Sequence, residues 1–168
     1  LLLQLEKNRD DQLASDLSKC IRMLERSGLY KKYSKNDEST HDAWNSLLPA
    51  LIQCLQCLSS TGTNRYQPLR NLHENNSIVE CTVSILTFLT NITHKNEDAC
   101  QFIALDNGLS IVAQVLASNH NKHFDIVTLC CGLLSNMTEE NWNAREILKD
   151  VRLPEPHHNK KFCKYIAE

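Results

Sequence analysis

Three groups of residues in this sequence have types and spacings that could support chemistry. Cys54-Leu55-Gln56-Cys57 has the CxxC form of a zinc or redox site. No second cysteine pair follows it, and no glycine-rich turn supports it. His157 and His158 precede Cys163 and suggest a metal, but adjacent histidines project in different directions and suitable carboxylate partners are lacking. There is no phosphate-cradling glycine loop, no nucleophile elbow and no HExxH. These observations point away from an enzyme and toward a chain with no catalytic residues, no metal and no cofactor. The third group consists of amides and carboxylates: Asn91 and Glu97, then Asn136, Glu139 and Glu140. Each asparagine falls where a long apolar segment ends. One reading is that their amides satisfy loose carbonyls at the helix end. The other is a ladder of amides on an inner helix face gripping an extended peptide, with the carboxylates facing a basic partner.

These polar residues lie in a pattern written twice. Leu89-Thr90-Asn91-Ile92-Thr93-His94-Lys95-Asn96-Glu97-Asp98-Ala99 is followed by Leu134-Ser135-Asn136-Met137-Thr138-Glu139-Glu140-Asn141-Trp142-Asn143-Ala144. Leu, Asn, Thr, Asn and Ala recur at an offset of about 45, within the range of HEAT and armadillo units. Ile103 and Leu148 keep the phase. Such units are too small to bury an apolar face alone and stack on their neighbours. The fold expected is therefore all-α, a HEAT/armadillo-like helical repeat or α-solenoid. We read residues 1–168 as a single domain, with the clearest repeats at 79–116 and 124–150.

Composition agrees with a helical fold. The sequence has 168 residues, enough for one domain with a core, and a formal net charge of −2, which gives no electrostatic case for nucleic acid or a membrane surface. Four Gly and four Pro are few for a β-rich fold. No apolar run reaches the roughly 18 residues of a membrane span. Leu1-Leu2-Leu3 is followed at once by Gln4 and Glu6, unlike a signal peptide, and the missing initiator Met suggests a fragment of a longer protein. Cys20, Cys54, Cys57, Cys81, Cys130 and Cys131 sit in apolar helical patterns, where cysteine acts as a small hydrophobe, so a reducing compartment is expected. Glycosylation acceptors at Asn75, Asn91 and Asn136 are read as coincidental, the last two falling at helix ends.

Local signals place the elements. Leu1–Lys7 reads as the end of one helix, with Asp10 or Asp11 capping the next. The face of that next helix is Leu13, Leu17, Cys20, Ile21 and Leu24, and Gly28 ends it with Arg26 near its negative end. Residues 30–40 read as a charged connector, and 41–59 as helical, with Pro49 either in the first turn of a helix capped by Ser46, the preferred reading, or kinking a longer one. Residues 60–76 read as a long loop. Ser77 and Glu80 form a capping box for a helix to Thr93. Asn96 caps a short helix ended by Asp106-Asn107-Gly108, and another short helix covers 109–116. Ser118–Lys122 is a turn. Phe124–Met137 is the second long helix, in which Gly132 costs about 1 kcal/mol relative to Ala and implies a closely packed neighbour. Asn141 caps the next short helix. Pro154 and Pro156 break the chain before a tail leading to a helix near Lys160.

With these residues in place, the two blocks resemble a known family. Asn91-Ile92-Thr93-His94-Lys95-Asn96-Glu97 is similar to the Asn-Leu-Thr-His-x-Asn-Glu block in the carboxy-terminal domain of the wings apart-like cohesin-release proteins. Phe124-Asp125-Ile126, Gly132-Leu133-Leu134-Ser135-Asn136, and Glu139 with Arg145 resemble that family's second block. The similarity covers roughly residues 80–148. It implies a nuclear, chromatin-associated, non-enzymatic domain that docks on the cohesin ATPase-head (SMC) subunit and the accessory HEAT-repeat subunit and promotes release of cohesin from chromatin. Asn91, Glu97, Asn136, Glu139 and Glu140 are the expected partner-binding residues. The chain is shorter than the family's usual domain, and the segment between Asp106 and Phe124 is short and armadillo-like. A compact, divergent member, such as a fungal one, fits both departures. The other reading is an armadillo-type peptide-binding adaptor in transport or signalling.

Overall fold

The computed structural model describes residues 2–28, 38–60, 76–105, 107–120, 122–153 and 161–166, with side chains from Asp11 onward in all but a few of them. Among the described residues the chain is all-helical. The helices are α1 (Leu2–Ser27), α2 (Glu38–Ser60), α3 (Asn76–Thr93), α4 (Glu97–Leu105), α5 (Gly108–Asn119), α6 (Phe124–Thr138), α7 (Trp142–Asp150) and α8 (Phe162–Ile166). The only strand-like pairing among them is an isolated bridge between Arg152 and Lys161. No single described helix is long and apolar enough to cross a membrane.

The repeat noted in the sequence reappears in the helix bounds. α3 ends at Thr93 and α6 at Thr138, while α4 runs Glu97–Leu105 and α7 Trp142–Asp150, each pair 45 residues apart. Asn96 and Asn141 cap the two short helices, accepting from the Ala99 amide at 3.2 Å and the Ala144 amide at 3.0 Å. Glu97 and Asp98 add charge favourable to the first turn of α4.

α3 is the centre of the packing. α1 lies against it on one side and α6 on the other, and α5 packs between α6 and α2. The apolar side chains form one core, in which Phe88, Leu48, Ile52, Leu55, Ile85 and Leu89 are fully buried. Trp44 of α2 stacks on Phe88 with ring centroids 6.0 Å apart. A buried polar contact joins α1 to α3. Ser84 gives its hydroxyl hydrogen to the Glu80 carbonyl at 2.8 Å, so the Ser18 hydroxyl donates to Ser84, also at 2.8 Å.

Several expectations are corrected. α1 is one helix through Asp10 and Asp11, because no Gly or Pro interrupts it before Gly28. Gly28 ends it with φ +67, its amide bonding the Glu25 carbonyl at 3.1 Å. Its buried face is Ala14, Ser18 and Ile21, with Leu17 and Leu24 partly covered, while Leu13 and Cys20 are exposed. α2 starts at Glu38, inside the expected connector, and Pro49 lies in its interior, not in a first turn. Burial of Trp44 and Leu48 upstream of the proline holds the helix together across the missing backbone donor. α3 begins at Asn76, so Ser77 is inside the helix, and Glu80 pairs with Arg22 at 3.7 Å instead of closing a capping box. α5 runs on to Asn119, absorbing part of the expected turn. Cys57 and Cys131 are exposed, and only Cys81 and Cys130 of the six cysteines expected as small hydrophobes are fully buried. The remainder of the expected loops at 30–40 and 60–76, and the tail from Pro154 to Lys160, lie outside the described residues.

Two glycines behave differently. At Gly108 an added Cβ would stand 2.5 Å from the Ile103 carbonyl oxygen, so only glycine lets α5 turn so closely off α4. At Gly132 the nearest atom to an added Cβ is the Thr90 methyl at 3.7 Å, ordinary contact. The neighbouring helix is present there, but it leaves room for alanine.

Candidate functional site

The singled-out residues lie at two elbows, α3–α4 and α6–α7. A helix leaves its last carbonyls without intrahelical partners, and here each elbow closes them in its own way. At the first elbow Lys95 takes a left-handed conformation with φ 55, and the Asn96 amide bonds the Thr93 carbonyl at 3.1 Å. The Asn136 amide nitrogen donates to the Thr90 carbonyl and to the Thr93 hydroxyl, both at 3.1 Å. Both of its donor hydrogens thus tie α6 to the end of α3. The Thr93 hydroxyl passes its own hydrogen to the Leu89 carbonyl at 2.8 Å and is 1% exposed with its residue. The buried Cys100 thiol stands 3.3 Å from the Thr93 carbonyl and 3.4 Å from the Asn136 carbonyl, facing both helix ends.

Arg145 occupies the position in the second elbow equivalent to Cys100. Its Nε donates to the Thr138 carbonyl at 2.6 Å, and its guanidinium also donates to the Glu139 carbonyl. Thr93 and Thr138 are themselves equivalent, so both elbows bond the same carbonyl from a residue seven positions on.

The two asparagines do not form one surface. Asn136 is half-buried between α6 and α3, whereas Asn91 is exposed and donates to the Glu25 carboxylate of α1. Each reaches an earlier long helix, Asn91 to α1 and Asn136 to α3. Two of the carboxylates share a neighbour instead. Burial pushes the Cys100 thiol up to about 11, and the nearby carboxylates of Glu97 and Glu139 both push the same way. One thiol therefore senses both groups, one from the start of α4 and one from the end of α6. Glu97, Glu139 and Glu140 are all exposed, and among the described residues no Lys or Arg pairs with them. Among the described residues Glu97 accepts from Gln101 of its own helix, at 3.0 Å.

The cysteine chemistry is muted. All eight cysteines are free thiols. Burial, then neighbouring Cys57, raises Cys54 above the ordinary thiol range, the reverse of what a reactive CxxC needs. The metal reading of His157 and His158 falls outside the described residues, and no group of metal-ligating side chains occurs among the described ones.

Sequence reasoning missed Cys100 and Glu25. The signal for Cys100 was present, because the 45-residue offset sets it opposite Arg145. Glu25 had no local signal, since its partner lies 66 residues away. No family model, no curated protein and no solved structure matches the chain.

Proposed function

We propose that this chain is a non-enzymatic docking domain of the wings apart-like kind, built as a HEAT/armadillo-like solenoid. The recurrence of helix bounds at 45 residues and the side-by-side packing of α1, α3 and α6 support the solenoid. The two sequence blocks support the family. The observation that carries the docking role is the exposed carboxylate group at the junction of the units: Glu97, Glu139 and Glu140, with no cation among the described residues to pair with them. Such a surface favours a basic partner and steers its approach. The partners are the cohesin ATPase-head subunit and the accessory HEAT-repeat subunit, met at chromatin in the nucleus. The domain acts by binding one conformation of the head more tightly than the other, since a ligand shifts an equilibrium only by its differential affinity. Release of cohesin follows from that bias, without a cofactor.

The armadillo adaptor is the second reading. It needs the Asn91 and Asn136 amides free to grip a peptide backbone. Asn136 spends its donors on α3 and Asn91 donates to Glu25, which weighs against it. Calorimetry of the purified chain against an isolated cohesin ATPase head, with an importin-type basic peptide as control, separates the two. Head binding without peptide binding is expected. Peptide binding alone would make the chain an adaptor, and binding to neither would remove the docking role from these residues.

A further inference from the structure

α1, α3 and α6 lie in a row, and two positions recur where each later helix meets the earlier one, Ser84 with Leu129 and Asn91 with Asn136. α3 presents Glu80, Ser84 and Asn91 to Arg22, Ser18 and Glu25 of α1. α6 presents Leu129, Gly132 and Asn136 to α3: the Thr90 hydroxyl reaches the Leu129 carbonyl at 3.5 Å, the Thr90 methyl faces Gly132, and Asn136 bonds Thr90 and Thr93. The face of α3 that receives α6 thus runs through Thr90, with Leu86 fully buried and Val79 and Val83 partly covered along it.

Moved 45 residues on, that receiving face becomes Phe124, Thr128, Cys131 and Ser135. All four are exposed, Phe124 at 82%, and no described helix covers them. The spacing of four, three and four keeps them on one side of α6. Exposed carboxylates of Glu139 and Glu140 stand at the carboxy-terminal end of this stripe, where the helix end is already partly negative.

We propose that this outward face of α6 receives a single helix of a protein partner, in the way α3 receives α6. The chemistry of that helix follows from α6 itself. It carries an apolar residue, a small residue and an Asn or Gln at positions i, i+3 and i+7, as Leu129, Gly132 and Asn136 do. The amide reaches the Ser135 carbonyl and the Thr138 hydroxyl. Lys or Arg beyond the amide meets Glu139 and Glu140. The proposal deepens the docking role above and rests on it for the partner's existence, but the surface can be tested without that partner.

The probe is a dye-labelled helical peptide of about 20 residues bearing Leu, Ala and Asn at those spacings, with lysines after the Asn. Binding is read by fluorescence anisotropy. The intact chain is expected to bind saturably. The Thr128→Arg/Ser135→Arg variant, altered only at exposed positions and checked for unchanged helix content by circular dichroism, is expected to bind at least about tenfold more weakly. Replacing the peptide's Asn by Ala is expected to weaken binding roughly fivefold, the size of one hydrogen bond. Absence of saturable binding, or equal binding by the variant, would overturn the proposal. Concentration-dependent dimers of the intact chain that the variant abolishes would assign the face to a second copy and overturn it too. Failure of the docking role is read separately, as absence of cohesin-head binding by the intact chain alongside retained peptide binding.

Discussion

The α3–α4 elbow and the α6–α7 elbow share a sequence pattern, yet only the first turns through a left-handed residue, Lys95, and the two are held closed by opposite chemistry. At the first, a neutral thiol and a neutral amide face the end of α3, and both belong to buried or half-buried residues. At the second, an exposed guanidinium binds the end of α6. The difference follows from position. α3 is covered by α1 on one side and α6 on the other, and a charge at the buried Cys100 position would be stripped of water. The end of α6 is open, and an arginine there keeps its hydration while donating to two carbonyls. The same helix-end problem is thus solved by whichever donor the local solvent access permits.

Exchanging the two donors should break the comparison most severely. Cys100→Arg forces a guanidinium into a site that is 5% exposed and is expected to cost more than about 3 kcal/mol. The converse, Arg145→Cys, leaves carbonyls that water can reach and should cost about 1 kcal/mol or less. Urea denaturation of both variants measures the ratio. Equal losses would mean that solvent access does not decide the donor.

The asparagine pair sharpens the contrast at smaller scale. Asn136→Ala removes two bonds between α6 and the end of α3, leaving the Thr90 carbonyl to the His94 amide and the Thr93 hydroxyl, and is expected to cost about 1–2 kcal/mol. Asn91→Ala removes an exposed bond to Glu25 and should cost at most about 0.5 kcal/mol. Thermal melts of the two variants side by side test this. A larger loss at Asn91 would reverse the assignment of which amide is structural.

Much of this was legible in the sequence, for identifiable reasons. The repeat was visible because the two turns reuse Leu, Asn, Thr and Asn at one spacing, and the Asn96 and Asn141 caps are strong local signals. The all-helical class followed from apolar residues at spacings of three and four. The start of α2 and the interior Pro49 were misread because burial of Trp44 and Leu48 outweighs a local breaker, and burial is a tertiary property. The asparagines looked equivalent in the sequence. They differ in the fold because the helix in front of α3 offers a carboxylate while the helix in front of α6 offers a carbonyl and a hydroxyl. The exposure of Cys131 was hidden for a related reason: its equivalent, Leu86, is fully buried by the packing around α3.

Glu97 and Glu139, grouped already by the sequence pattern, both act on the buried Cys100 thiol, and the proposed docking role rests on their exposed carboxylates. Charge reversal at both tests it with little confounding from stability. Lys at 97 opposes the positive start of α4, Lys at 139 favours the negative end of α6, and each effect is about 0.3–1 kcal/mol, so they nearly offset. The decisive measurement is calorimetric titration of the Glu97→Lys/Glu139→Lys variant into the isolated cohesin ATPase head, beside the unaltered chain. Unchanged helix content with affinity at least about tenfold weaker is the predicted result. Equal affinity for the two chains would contradict the acidic junction as the docking surface.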